Sequence, residues 1–489
     1  MNANGKINIL VIAVIFVVGV VSGSVFFQPE ISGAINSQSI VQVNVKDFGA
    51  IGNGINDDTA AIQSAIDSLG TQGGSVFVPK GVYICNNIKL KSNITFEGEG
   101  WETILQQKEG LTGYQSLVGI NQGNLATNYP EGNTTLEGTV QNVVVKNMKL
   151  RGTVEKEGFK EWINLMSLSS CSKVLVDTVC FEGFRGDGLF LGVEAWTERH
   201  VSNIVIRNST FDGVNKNNRN GIGIIDGFNI LIDNNFFTRV TRQDMPGAIS
   251  IEPNTNQSAK WSIIKHINIR NNHFKDVGRI AIQFNNSNLQ GTMKPRAIDN
   301  IVINGNTIEG AYVGIYLLQK YAVLDEKVDP LNIHVLNNTI TNCYAPLQAQ
   351  GTKTVTIIGN NFEQCDNGIQ LGVNNKKVMD FLIDGNTFKN LGYNAGESGI
   401  HISDVSNATI SNNSFIDCGV KTLTYKAGYA VVFYGGKSDN IKVFNNTVSS
   451  PNGITTYFLF VAKNHKTNPY TNMATNNVTN GLKTYSIVK

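Results

Sequence analysis

NILIDNNFFTRV, residues Asn229 to Val240, is one copy of a phrase that this chain writes eleven times. The copies begin at Asn142, Lys173, Asn203, Asn229, His266, Asn300, Asn332, Thr354, Asp380, Asn407 and Asn440, 22 to 37 residues apart. Self-similarity at that spacing marks a solenoid, whose units bury their apolar faces only by stacking on one another. Within a copy, Ile230 and Ile232 alternate with other residues, as do Ile204 and Ile206, or Ile301 and Ile303. Period two over a short β-branched run predicts a strand with one buried face. Eight places after the starts stand Phe181, Phe211, Phe237, Phe274, Ile308, Ile340, Phe362, Phe388, Phe415 and Val448. Asn/Gly pairs such as Asn234-Asn235 and Gly305-Asn306 separate the two runs. Asn and Gly tolerate left-handed backbone, so they turn the chain sharply at little cost.

The column six places after each start holds Asn235, Asn272, Asn306, Asn338, Asn360, Asn386, Asn413 and Asn446 without a break. Identical amides one strand spacing apart can bond in a ladder along the stack. A second strand follows in each coil: GLFL at Gly188, GIGII at Gly221, AISIE at Ala248, AIQF at Ala281, GIYLL at Gly314. Two or three short strands per coil predict an all-β, single-stranded parallel β-helix.

A solenoid grows lengthwise, so 489 residues need no second core. Net charge is +2 with no long charged run, which points away from nucleic acid. Residues 7–27 are almost wholly apolar behind Lys6, as in a signal peptide or an N-terminal membrane anchor. An extracellular or cell-surface location follows. The six cysteines show no disulfide framework, and Cys343, Cys365 and Cys418 share one repeat position, as buried thiols would. The division expected is a leader or anchor over 1–28, a linker over 29–42, a cap with the first coils over 43–100, and β-helix repeats over 101–485.

From Val43 the chain reads VNVKDFGAIGNGINDDTAAIQSAIDSLGTQGGSVFVPKGVY. Asp57-Asp58-Thr59 predicts a helix N-cap, followed by Ala61, Ile62, Ala65, Ile66 and Leu69 at helical spacing. An amphipathic helix here covers the open end of the stack. This segment resembles the N-terminal region of pectate-lyase-like right-handed β-helix proteins, the grouping with rhamnogalacturonase-type enzymes, uronan epimerase-like proteins and phage depolymerases. The resemblance is dense over 43–100 and is carried beyond there by the repeat alone. It implies a right-handed helix and an exported protein acting on, or binding, polysaccharide. It implies a divalent cation such as calcium only if the reaction is a lyase's. The polygalacturonase signatures N-T-D, D-D and G-H-G are missing from the repeats, as is the D-H signature of pectate lyases, so no catalytic residue is carried over.

Chemistry is expected where the coils are unequal. Excursions flank the second strand at residues 194–201, 214–219, 241–246, 253–263, 286–297 and 318–330, and loops on a rigid solenoid build clefts. Charge gathers beside them, Glu194 and Arg199 included. Aligning the second strands places Asp187, Asp226 and Glu252 along one groove, approached by Arg219 and Asp244 from the preceding loops; these five are the catalytic candidates. Arg185, His200, Lys216, Arg242 and Tyr316 are the candidates for substrate contact. Paired carboxylates serve glycosidic acid–base chemistry, and the arginines suit an acidic sugar. No metal-ligand spacing among the histidines stands out. The expectation is a polysaccharide lyase, hydrolase or epimerase, with a non-catalytic surface adhesin on the same scaffold as the rival.

Overall fold

The computed structural model describes residues 13–21, 24–32, 41–120, 140–192, 200–253, 262–286, 297–319, 331–392, 398–419, 428–467, 474–480 and 482–487. Residues 41 onward form the expected parallel β-helix. In a central coil the strands Ser202–Arg207, Thr210–Asp212 and Ile222–Ile224 make three faces. Each pairs in parallel with its counterpart one coil later: Gly227–Asp233, Phe236–Thr238 and Ile249–Ile251. The third face is a continuous sheet of 14 strands running from Ile88–Lys89 to Lys483–Ile487.

The corners follow from the repeat. All eleven starting residues have left-handed backbone, with φ between 48° and 62°. The residue five places later is left-handed too, from Asn147 through Gly305 to Asn445. Two sharp corners thus bracket each first strand. Asn and Gly adopt them readily, whereas Thr354 at φ 62° carries a β-branched side chain there.

Beside the second corner the Asn ladder forms as expected. Each Nδ2 donates to the Oδ1 of the Asn one coil on, at 2.9–3.0 Å, from Asn235 through Asn446 and onward to Asn477. The same oxygen accepts the backbone N–H of the preceding Asn, and each Nδ2 also donates to a carbonyl of the coil behind, as Asn338 does to Ile303. Inside the coil, Phe181, Phe211, Phe237 and Phe274 stack face to face, centroids 4.5–4.7 Å apart. That spacing is the strand spacing itself.

The helix Thr59–Ser68 caps the first coil with Ile62, Ala65 and Ile66 buried. Its start differs from the expected N-cap. The Asp58 carboxylate does not bond the helix N-terminus; it accepts the backbone N–H of Ile51 and Gly52, pinning the loop before it. Asp57 instead takes the Thr59 N–H and hydroxyl. All six cysteines are free and buried.

Residues 7–27, expected as leader or anchor, are described in part: Ala13–Val21 pairs antiparallel with Ser24–Ser32. Among the described residues no helix is long and apolar enough to cross a membrane.

Candidate active site

The 14-stranded sheet turns alternate residues of each strand inward and outward. Leu189, Leu191, Ile222, Ile224, Ile249 and Ile251 are buried in the coil. Between them, Phe190, Gly223, Ser250, Gln283, Tyr316, Gln348 and Gln370 register as one column on the outer face. Gly223 is the break in that column. A methyl group there would come within 2.3 Å of Asp187 Oδ2, so the absent side chain makes room for a carboxylate on the sheet.

Asp187 enters that space from the loop before Leu189–Leu191. Its backbone N–H donates to Asn164 Oδ1 at 2.8 Å, and its Oδ1 accepts the Asn220 N–H at 3.2 Å. The guanidinium of Arg219, one coil on, lies 3.1 Å from Asp187 Oδ2, 2.9 Å from Glu252 Oε2 and 3.4 Å from Glu161 Oε1. Gln283 Nε2 donates to the other oxygen of Glu252 at 3.3 Å. Three carboxylates on one cation leave an excess of negative charge in a largely dry place. Burial pushes the Asp187 carboxyl above its usual range despite Arg219. Burial, and then the charge of Asp187, raise Glu252 against the pull of Arg219. Arg219 is held firmly protonated by its three partners.

Access separates the three acids. Asp187 is 1% exposed, whereas the side chains of Glu252 and Glu161 are 18% and 39% exposed. Beside Glu161, Trp162 is exposed and packs on Tyr114, which meets Phe190 edge-on. An aromatic wall therefore borders the acids on the N-terminal side, and Tyr316 continues the outer column on the other. Tyr316 is half-buried, which raises its phenol.

The other candidates fall elsewhere. Asp226 does not join the groove: it is buried in the bend before Gly227–Asp233, where it bonds His200 Nδ1 at 2.9 Å and the Ile263 N–H. His200 is buried with it and presents no ligand surface. Arg185 is spent internally, on the Glu157 carboxylate and on the carbonyls of Glu157 and Gly158. Lys216, Arg242 and Asp244 line a separate cavity next to the acid cluster. There Lys216 pairs with Asp276 and Arg242 forks onto Asp244 at 2.9 Å.

Glu161, Trp162 and Tyr114 are absent from the sequence candidates. Neither of their coils has a Gly-Ile opening to its second strand, QSLVGI at Gln115–Ile120 after Tyr114 and INLMSL at Ile163–Leu168 after Glu161 and Trp162, so the strand alignment passed over both. The signal available was register: Ser167 precedes Phe190 in the outer column. Excursions 194–201, 253–263, 286–297 and 318–330 lie wholly or largely outside the described residues, Glu194 and Arg199 with them. Among the described residues no group of three or more His, Cys, Asp or Glu is placed to hold a metal ion. Where three carboxylates do converge, the Arg219 guanidinium takes the cation's place.

Residues 42–240 match the family described as rhamnogalacturonase A/epimerase, pectate lyase-like, and residues 265–458 match the right-handed β-helix region. The chain is a pectate-lyase-like right-handed β-helix protein. Mannuronan C5-epimerase AlgE1 of Azotobacter vinelandii is 37% identical over 116 residues, 21% of this chain and 8% of that protein. Plasmin and fibronectin-binding protein A of Streptococcus pneumoniae is 25% identical over 431 residues, 83% of this chain and 50% of that one. The chain thus spans half or less of the length of these two relatives. Among solved β-helix structures, the N-terminal fragment of bacteriophage Phi29 gene product 12 superposes with a TM-score of 0.61. It shares 18% identity, over 91% of this chain and 72% of that one. That likeness concerns the fold.

Proposed function

We propose that this β-helix protein binds an extended polysaccharide along the outer face of its long sheet and modifies it by proton transfer. Glu252 is the acid and Glu161 the second carboxylate. The observation that carries this reading is the shared Arg219 guanidinium. It brings two reachable carboxylates together over a side-chain-free step at Gly223, one of them with its proton affinity raised by burial. A carboxyl that holds its proton above the usual carboxylate range is better placed to donate it to a glycosidic oxygen or to a sugar carbanion. Asp187 is too buried to touch a sugar; it positions Arg219 and keeps the cluster electron-rich. Trp162 and Tyr316 offer faces on which sugar rings stack. Kinship over part of the chain to mannuronan C5-epimerases supports a polysaccharide as the substrate class, and the apolar segment over 7–27 fits an exported or surface location.

The test is turnover of purified polysaccharides, neutral and acidic. Unsaturated product is read by absorbance, new reducing ends by end-group assay, and C5 exchange by NMR in deuterium oxide. Glu252→Gln should lower whichever activity is found by at least a hundredfold. Undiminished turnover by that variant would overturn the assignment. A second reading, a non-catalytic surface binder, is favoured by the long match to plasmin and fibronectin-binding protein A. It predicts binding with no glycan changed by any of the three readouts.

A further inference from the structure

Beside the acid cluster lies a cavity of about 650 Å³, within the ~300–1,000 Å³ span of ligand pockets. The coil between its walls contributes Val277 and Gly278 to the lining. Gly278 approaches Thr241 so closely that a methyl group would meet the Thr241 carbonyl oxygen at 1.9 Å. On one side of that step stands the loop with Arg242 and Asp244; on the other stands Tyr312, 54% exposed. Tyr312 is backed by Tyr344 one coil further on, rings 4.5 Å apart and within 5° of parallel. The coils bearing Arg242 and Tyr312 are two apart, so the walls are roughly 10 Å from each other.

The charges that line the cavity are paired, and the positive charge of Arg279, bonded to the Met245 carbonyl, also acts on Asp244 and Tyr312. Lys216 is paired with Asp276. Arg242 forks onto Asp244 through Nε and Nη2, both at 2.9 Å, and its guanidinium lies over the Phe159 ring, 4.5 Å from the centroid. Held by a carboxylate and a ring at once, Arg242 is a poor clamp for a further anion, which would have to displace Asp244. An ion-paired fork instead presents acceptors and donors side by side. A vicinal diol satisfies both, because each hydroxyl donates and accepts, while the apolar face of a pyranose packs on an aromatic ring.

The geometry points to a sugar subsite in this cavity that takes an uncharged hexose unit, stacked on Tyr312 and bonded through its hydroxyls to the Arg242–Asp244 fork. The inference rests on the polysaccharide reading above and narrows it to a substrate with neutral units at this distance from the acids. One loop joins the two places: Asn218 accepts the Arg242 N–H on its carbonyl, and its neighbour Arg219 reaches the acids.

The test uses the full chain carrying Glu252→Gln, which separates binding from turnover, with neutral linear hexasaccharides and hexamannuronate as probes in calorimetric titrations. A neutral hexasaccharide should bind more tightly than hexamannuronate. Tyr312→Ala should weaken it about tenfold and Tyr312→Phe by no more than about twofold, the loss expected for one stacking face. Tyr312 is a surface side chain, and circular dichroism of each variant checks that the fold is kept. Unchanged affinity in Tyr312→Ala, or a preference for hexamannuronate that depends on Tyr312, overturns the inference. If hexamannuronate is bound without Tyr312 and is altered by the unsubstituted protein, the subsite falls and the functional reading stands. Tyr312-dependent binding of neutral sugars with no polysaccharide altered leaves the subsite and sinks the catalytic reading. Absence of all binding removes both.

Discussion

Asp187 and Glu252, which begin two coils apart in the stack, bond neighbouring nitrogens of one guanidinium, that of Arg219, at 3.1 and 2.9 Å. Each acid reports on the other through that cation.

Both carboxyls are raised by burial, so the folded state holds their protons more tightly than the unfolded chain does. Their contribution to stability is therefore fully present below the ordinary values, 3.8 and 4.5, and is lost as pH rises through the higher folded values. The Asp187→Asn, Glu252→Gln double variant should lose that dependence. Thermal midpoints measured from pH 4 upward should fall less steeply for the variant than for the parent; equal slopes would remove burial as the cause.

Gly223→Ala probes the step in the outer column. The backbone there needs no left-handed conformation, so the added methyl acts by contact: first on Asp187 Oδ2, which it would meet at 2.3 Å, and more weakly on Asn220 and Phe190, at 3.2 Å each. The carboxylate must move and Arg219 with it. The expected result is a loss of turnover of at least tenfold with a midpoint of unfolding shifted by only a few degrees. A variant that turns over at the parental rate argues that Asp187 has no positioning part.

Asp226 was placed beside Asp187 by strand alignment, and the structure seats it under the bend with His200. Asp226→Ala strands the His200 ring nitrogen and the Ile263 N–H, at a cost of about 2–3 kcal/mol. Chemical denaturation measures that cost. The kcat of the folded fraction should stay within about twofold of the parent, in contrast to Glu252→Gln.

Asn338→Ala cuts the ladder in its middle. It leaves the backbone N–H and one amide hydrogen of Asn306 without an acceptor, the other amide hydrogen staying on the Ile269 carbonyl, and removes the bonds to Ile303 and Asn360. Two buried donors without partners cost about 3 kcal/mol. Hydrogen exchange resolved by peptide should locate the loss in the coils around 306–360, because each coil leans only on its neighbours. Loosening confined to the chain ends would speak against the ladder as a source of local stability.

How much was readable beforehand divides along the same line between scaffold and surface. The corners were legible because left-handed backbone selects Asn and Gly, and the eleven starts obey it even where Lys173, His266, Thr354 and Asp380 replace Asn. The ladder was legible because a side chain that must bond its own kind cannot vary. Glu252 was placed on one groove by aligning the second strands and Arg219 by the loop that precedes them, and the two side chains do meet. Period two fails at the bend, so the direction of Asp226 was not available from spacing. Arg185 and His200 looked like a charged surface because their partners, Glu157 and Asp226, approach from other coils. Tyr312 and Tyr344 each stand twelve places after a repeat start. That coincidence carries a meaning only once both rings are seen to line one cavity.

The ladder also has a direction. Every Asn gives its backbone N–H and one of its two amide hydrogens to the side-chain oxygen of the coil that comes after it in the chain, beginning with the Ser209 N–H on Asn235 and ending with Asn446 on Asn477. A coil newly laid down at the growing end thus shows unmet donors until its successor arrives. During synthesis the nascent tip is always a template for the segment about to emerge, and for that segment in one register only. The molecule extends the way a zip closes, tooth after tooth from the capped end.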